Sequence, residues 1–250
     1  MNSITSATKY NNGQKNQVYQ AHTYLSGGFI MRTLLLTGFE PFGGEKTNPS
    51  LEAVKQLDGL TFGDIAVKAI ELPVSWDRVI PLIHSAIATH TPDFIISVGQ
   101  AGGRAKIAVE RIGINICYGQ DNYDVTQNGE PIVPSGPDGY FSSLPVVSLA
   151  AAISAAGVPA YVSNTAGTYL CNYALYTLEH HIRTHNLPIQ SCFIHIPFLP
   201  EQTTDKPNQL LPSMSLDSIV SALRAAIQAM AVPTAETAQV DATVAGAVTH

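Results

Sequence analysis

Charge is scarce in this chain. Only 13% of its 250 residues are Asp, Glu, Lys or Arg, against about a quarter in an average soluble protein, so much of the surface must be neutral and polar. The formal net charge is −6 and no basic cluster is present, which excludes the electrostatic footprint of a nucleic-acid partner. No apolar run approaches the ~20 residues that cross a bilayer, so no membrane partner is expected. The first 30 residues lack the apolar core of a secretory signal. Cysteine is scarce too: Cys117, Cys171 and Cys192 complete the count. An odd number without C-x-x-C spacing argues against a disulfide scaffold and gives no sign of a redox pair or a zinc site. A reducing, cytoplasmic compartment is the simplest expectation, and it leaves at least one cysteine free for chemistry.

What the chain has is apolar residues, 45% of the total, enough for a sizeable core at this length. They are unevenly spread. Residues 1–30 are rich in Asn, Gln, Ser and Thr without an apolar period and are expected to form a disordered extension. Met31, just before the first strand pattern, is a candidate start codon. Residues 232–250 are rich in Ala, Thr and Val and are expected to form a disordered tail. Residues 31–231 remain as one globular domain.

Within that domain strand and helix patterns alternate. Residues 33–37, 64–72, 93–98, 107–116, 161–164 and 192–196 read as strands, several of them apolar throughout. Helices are predicted over 50–57 (capped by Ser50 after Pro49), 76–90, 144–156, 168–183 and 215–230. This alternation predicts an α/β fold with a largely parallel, buried sheet. In such sheets sites gather beyond the carboxyl ends of strands, here Gly38–Gly44, Gly99–Arg104, Asn164–Cys171 and the surroundings of His195.

Cys171 falls in the first turn of a predicted helix, after a strand and the turn Thr165-Ala-Gly-Thr168. Unpaired N–H groups and the helix dipole there favour an anion, so the reactive thiolate should be stabilised. The alternative is a buried structural thiol, the usual lot of free cysteine. His195 interrupts an apolar strand, Phe193-Ile-His-Ile-Pro197, and is either a hydrogen-bonded core histidine or a proton carrier. Glu110, beside Arg111, is either half of a local ion pair or a carboxylate that orients a histidine. Two further patterns are set aside. The loop from Gly38 to Thr47 is not a phosphate loop, because Gly44-Glu45 intervenes before Lys46 and Pro41 removes a donor. His181 and His185 are four apart on a helix, but without an H-E-x-x-H pattern no metal is expected.

Several longer motifs are more specific. Thr37-Gly-Phe-Glu-Pro-Phe-Gly-Gly44 with Asn48-Pro-Ser50, Val98-Gly-Gln-Ala-Gly-Gly-Arg104 and Val109-Glu-Arg-Ile-Gly-Ile-Asn115 come first. Ser163-Asn-Thr-Ala-Gly-Thr-Tyr-Leu-Cys-Asn172, Phe193-Ile-His-Ile-Pro197 with Pro200-Glu-Gln202, and Pro212-Ser-Met-Ser215 follow. Together, in this order, they resemble the pyroglutamyl peptidase I (pyrrolidone-carboxylate peptidase) family from about Met31 to Met230. The resemblance implies a single-domain, three-layer α/β/α sandwich with a twisted, largely parallel central sheet. It implies a cysteine peptidase that removes N-terminal 5-oxoproline from peptides, with Cys171, His195 and Glu110 as its triad. It also implies a ring pocket that includes Phe39, Phe42 and Gln100, with Asn48 close by. No cofactor is implied, the partners are pyroglutamyl peptides, and a homo-oligomer (dimer or tetramer) is expected.

The chemistry of the substrate agrees with such a pocket. A pyroglutamyl ring carries no ammonium for an acidic clamp to hold, and a flat neutral lactam suits aromatic faces with a few placed polar groups. One segment departs from the family pattern. Where relatives carry a segment like A-R-I-P-D-N, this chain reads Cys117-Tyr-Gly-Gln-Asp-Asn122, with Gln120 expected about where the arginine stands and a shortened loop onward to Pro134. A neutral Gln supplies neither fixed charge nor a forked donor. The alternatives are therefore a related cysteine hydrolase with a different acyl preference, or a weakly active binder of pyroglutamyl peptides. A binder has no need of all three triad residues. A thiol probe separates them, since an activated Cys171 should label fast at neutral pH.

Overall fold

The structure is a computed structural model that describes residues 25–26, 29–204, 206 and 209–232. Of the expected extension, strands β1 (Leu25–Ser26) and β2 (Phe29–Ile30) pair as a two-residue antiparallel ladder. The rest of that expectation, like the tail from residue 233, lies outside the described residues.

The domain proper opens with β3 (Arg32–Phe39), a run of Thr and Leu that enters the core and is buried from Leu34 onward. Helix α1 (Pro49–Lys55) follows a nine-residue glycine-containing loop. Its cap is Asn48 rather than the expected Ser50: Asn48 Oδ1 accepts from Ser50 N at 3.0 Å, and Pro49 takes the first helical position, where no N–H is needed. Then come β4 (Thr61–Phe62), β5 (Ile65–Leu72), α2 (Val79–His90) and β6 (Phe94–Gln100). The predicted strand over 107–116 is two, β7 (Ile107–Glu110) and β8 (Ile112–Ile114), broken at exposed Arg111. The segment expected as a loop is a hairpin, β9 (Cys117–Gln120) and β10 (Thr126–Glu130). The chain closes through β11 (Gly139–Phe141), α3 (Val146–Ala155), β12 (Ala160–Ser163), α4 (Leu170–Thr184), β13 (Gln190–Ile196), α5 (Pro200–Thr204) and α6 (Leu216–Gln228).

Seven strands form the central sheet in the order β12-β7-β13-β6-β3-β5-β4. The inner four, β13, β6, β3 and β5, are parallel. β7 runs antiparallel to β13, and β12 follows β7 in parallel. Because side chains alternate along each strand, the sheet buries both faces. Leu34, Leu36, Ile96, Val98, Val109 and Ile194 pack beneath α1, α3 and α6, whereas Leu35, Phe39, Ile95 and Phe193 pack beneath α2 and α4. Three layers result. Each fully buried Leu or Ile in them contributes roughly 1.5–3 kcal/mol of transfer free energy, so the strands that carry the site rest on a stiff floor.

Polar side chains hold the layers in register. Buried Asn172 on α4 accepts from Ile114 N at 2.8 Å and donates to the carbonyls of Ile114 and Ile116 at 2.8 and 2.9 Å. Buried Glu179, two turns on, accepts from Ser143 N and from the hydroxyls of Ser143 and Ser191. At the far end of β3, Arg32 pairs with Asp64 at 2.6 Å and donates to Met230 O, while Val232 N donates to Asp64. Among the described residues no helix is long and apolar enough to cross a membrane.

Candidate active site

β12 ends at Ser163, and the chain turns through Gly167, whose φ of +78° requires glycine or strain, into α4. That turn places Cys171 in the first turn of the helix, as the sequence predicts. Its Sγ lies over Gly99 of β6: a Cβ on Gly99 would sit 2.8 Å from the sulfur and 2.7 Å from the Phe193 ring. Glycine at 99 is thus the only residue that leaves the thiol its place.

Gly99 is the parallel register partner of His195 on β13, about 4.8 Å away across the ladder and pointing to the same face. On the other side of β13, antiparallel β7 sets Ala108 opposite His195 and Glu110 opposite Phe193. Glu110 is therefore the diagonal neighbour of His195, and its Oε1 lies 2.8 Å from His195 Nδ1. A carboxylate accepts only, so Nδ1 carries the proton and Nε2 is left as the base. The three residues proposed from sequence come together, on three different elements, through strand register.

Glu110 is fully buried, and its cationic partner is Arg104 rather than neighbouring Arg111. Arg104 Nη1 donates to Oε1 at 2.5 Å and Nη2 to Thr165 O at 3.1 Å, so it also braces the turn that delivers Cys171. The sequence contains Arg104 at the end of Gly-Gln-Ala-Gly-Gly-Arg104, but no role was visible for it there.

Electrostatics correct one expectation. Burial pushes the Cys171 thiol up to about 12, and the Glu110 charge acts in the same direction, opposed by Arg104 and by the backbone N–H of Cys171 itself. At this helix start desolvation is the largest influence on the thiol. Burial likewise holds His195 below the usual imidazole range, with Glu110 opposing and Arg104 adding to the shift. Both shifts favour a thiol beside a neutral imidazole over a thiolate–imidazolium pair.

Beside the sulfur is a narrow cleft, about 10 Å³, lined by Phe39, Phe42, Asn48, Val74, Gln100, Tyr169, Leu170 and Cys171. All four pocket residues expected from sequence line it. Phe39 is rigid, packed on Phe193 with its N–H on Ser50 Oγ. Asn48 holds the loop by donating to Glu40 O. Tyr169 was not foreseen. Its ring faces Phe42 at 6.3 Å and meets Trp76 edge-on at 5.4 Å, and its hydroxyl donates to Gln120 O at 2.6 Å. A five-membered ring needs more room than the cleft offers, and Phe42 and Tyr169, both only partly buried, are the walls able to yield.

The segment that departs from the family pattern reaches the site differently from expectation. The Gln120 side chain is exposed and donates to Asp124 at 3.2 Å, so it does not border the cleft. The contact runs through Asn122, which donates to Glu40 Oε1 and Pro41 O and so clasps the phenylalanine loop. Asp121, buried, receives Trp76 N, Tyr123 N and Val125 N. Elsewhere, His181 stacks on His84 at 4.0 Å and meets His185 at a tilt, 4.3 Å between ring centres. Among the described residues no group of three or more His, Cys, Asp or Glu is arranged to hold a metal ion.

Comparison with known proteins gives a consistent picture. A sequence model of one family, described as pyroglutamyl peptidase, matches residues 32–232. A pyrrolidone-carboxylate peptidase of Levilactobacillus brevis is 46% identical over 205 residues, 81% of this chain and 99% of that protein. Another, from Yersinia pestis, is 44% identical over 79% of this chain and 92% of its own. Among solved structures, pyroglutamyl peptidase I of Bacillus amyloliquefaciens superposes with a TM-score of 0.76 at 42% identity, covering 79% and 96% of the two chains. A mutant pyrrolidone carboxyl peptidase from Pyrococcus furiosus gives 0.77 at 42% identity, covering 79% and 97%.

Proposed function

The chain belongs to the pyroglutamyl peptidase family and is a cysteine peptidase that removes N-terminal 5-oxoproline from peptides; we propose that it does so with Cys171 as nucleophile, His195 as acid and base, and Glu110 as the group that orients the imidazole. The observation that carries this reading is the seating of Cys171 Sγ over Gly99, the register neighbour of a His195 whose other nitrogen is tied to Glu110.

The reaction starts from the neutral pair that these shifts favour. Once the ring lies between Phe39, Phe42 and Tyr169, His195 Nε2 takes the thiol proton as Sγ bonds to the carbonyl carbon that links 5-oxoproline to the next residue. The carbonyl π pair moves to oxygen, where N–H groups at the start of α4 stabilise it; losing one such donor costs roughly 10²–10³ in rate. The imidazolium then protonates the leaving amine and the C–N bond breaks, which leaves a thioester. His195 takes a proton from water, the hydroxide adds to the thioester carbon, and the C–S bond breaks to release 5-oxoproline and regenerate the thiol. Glu110, paired with Arg104, stabilises the imidazolium of both half-reactions without itself taking the proton.

Phe39, Phe42, Gln100 and Asn48 form the ring pocket in this reading. A cytoplasmic location belongs to it as well, supported by three cysteines that are all free thiols. So does a homo-oligomer, dimer or tetramer, for which exposed Tyr118, Phe141 and Val147 offer apolar surface. Hydrolysis of a chromogenic L-pyroglutamyl amide, beside prolyl and alanyl amides and with a thiol reagent, tests the function. Cleavage of the pyroglutamyl compound alone, stopped by the reagent, is expected. Failure by folded protein to cleave it, or equal cleavage of all three, would sink the reading.

A further inference from the structure

Gln202 on α5 is a surface-helix residue by sequence, yet it is 4% exposed and its carboxamide makes four hydrogen bonds. Its Oε1 accepts from Leu199 N at 2.9 Å. Its Nε2 faces three oxygens, Gln100 Oε1 at 2.8 Å, Glu45 Oε2 at 3.1 Å and Thr47 O at 3.3 Å. The direction of this amide is fixed at both ends. A backbone N–H only donates, so the atom facing Leu199 N is oxygen; a backbone carbonyl only accepts, so the atom facing Thr47 is nitrogen. Glu45, held by Lys206 Nζ at 2.6 Å, is a third acceptor on the same side.

The consequence passes to Gln100. With an NH₂ group fixed against it, Gln100 meets Gln202 only through its oxygen. Its own Nε2 makes no hydrogen bond among the described residues, and it belongs to the side chain that lines the cleft beside Phe39, Asn48 and Cys171. A free glutamine amide turns easily about its last torsion and offers nitrogen or oxygen alike. Here the choice is made by Gln202, a residue outside the cleft lining.

We infer that Gln202 is a positioning residue for substrate selection: it fixes the polarity of Gln100 so that the cleft presents an N–H donor to the ring carbonyl of the substrate. The inference rests on the pyroglutamyl reading, since that carbonyl is what separates a pyroglutamyl from a prolyl ring. A prolyl ring brings an ammonium instead, which an N–H donor repels and an amide oxygen would welcome. Gln202 therefore acts against the wrong substrate as well as for the right one.

The test compares wild type with Gln202→Met, which removes the donor at similar volume, and Gln202→Glu, which keeps the acceptor for Leu199 N but turns an oxygen toward Gln100. Whether the wild type cleaves the pyroglutamyl amide at all tests the functional reading, and the change on replacing Gln202 tests the inference. For the variants, KM for that amide should rise about tenfold in Gln202→Met and about a hundredfold in Gln202→Glu. The kcat should stay within about threefold, and the rate of Cys171 alkylation should not change. The kcat/KM preference for pyroglutamyl over prolyl amide should fall with the rise in KM. Unchanged KM and preference overturn the inference, as does lost kcat at unchanged KM, the mark of a merely structural residue. Where either variant does not fold, Gln202→Asn, with both polar ends on a shorter stem, is read by the same two criteria.

Discussion

His195 and Arg104 donate to one and the same oxygen, Oε1 of Glu110, at 2.8 and 2.5 Å. The other oxygen, Oε2, is buried without a partner among the described residues. One carboxylate oxygen thus serves both the imidazole and the guanidinium. Replacing Arg104 by Met removes a cation that depresses His195 and Cys171 alike. The catalytic base must be neutral, so activity is lost as pH falls through the His195 pKa. Without Arg104 that pKa rises, and the acid limb of kcat/KM moves to higher pH, by about half a unit or more. A pH–rate profile that does not move, or moves to lower pH, contradicts this.

Glu110→Gln keeps the shape and removes the charge. The neutral amide can turn its NH₂ toward Nδ1 and fix the wrong imidazole tautomer, and it cannot stabilise the imidazolium. A loss in kcat of roughly 10²–10⁴ is expected, with KM little changed because Glu110 lies outside the cleft lining. Steady-state kinetics on the pyroglutamyl amide check it.

Cys171→Ala should abolish turnover while leaving the melting temperature within a few degrees. The wild-type thiol gives a second measurement. Because burial holds it at about 12, iodoacetamide labelling of the free enzyme should be slow at pH 7 and climb steadily toward pH 10. A labelling rate already at its plateau below pH 7 would mean a preformed thiolate–imidazolium pair, against the neutral pair described above.

Gln120→Ala and Asn122→Ala should part company. Among the described residues the Gln120 side chain hydrogen-bonds only to Asp124, so its loss should leave kcat and KM within about twofold. Asn122 holds Glu40 and Pro41, so its loss frees the loop that carries Phe42, and KM should rise severalfold. Equal effects would show that the hairpin acts on the cleft by some other contact.

Acid should weaken the α2–α4 interface. Burial, and then the charges of His84, His185 and His180, hold His181 at about 4, and burial followed by His185 lowers His84. Folded pKa values below the unfolded value mean that the unfolded chain takes up protons first. The melting temperature should therefore be flat above about pH 6.5 and fall between there and about pH 4, where the loss saturates. His181→Phe should flatten that fall, measured by thermal melts across the range.

The sequence disclosed the site unevenly, for physical reasons. Cys171 was readable because a strand, a Gly167 turn and a helix start are local features. Glu110 and His195 belong together only through the reversal of β7 against β13, a long-range pairing that no local period encodes; the resemblance supplied what periodicity could not. Arg111 looked like the partner of Glu110 because it is adjacent, but adjacent strand residues face opposite ways, and the ion pair goes to Arg104. The β9–β10 hairpin was missed because Thr126-Gln-Asn-Gly-Glu130 is polar on both faces. The upward shift of the Cys171 thiol was not legible, because helix position can be read from sequence and desolvation cannot.

The ion pair of Arg32 and Asp64 gathers both borders of the domain at one corner, since Met230 O and Val232 N bind the same two side chains. That corner lies at the opening of β3, and Phe39 in the cleft lies at its close, roughly 23 Å of strand away. A circular permutant that joins residue 232 to residue 32 by a short Gly-Ser linker and opens the chain elsewhere should keep its hydrolytic rate. Fusion partners carried at either border would likewise share one doorway, on the side of the molecule that the substrate does not use.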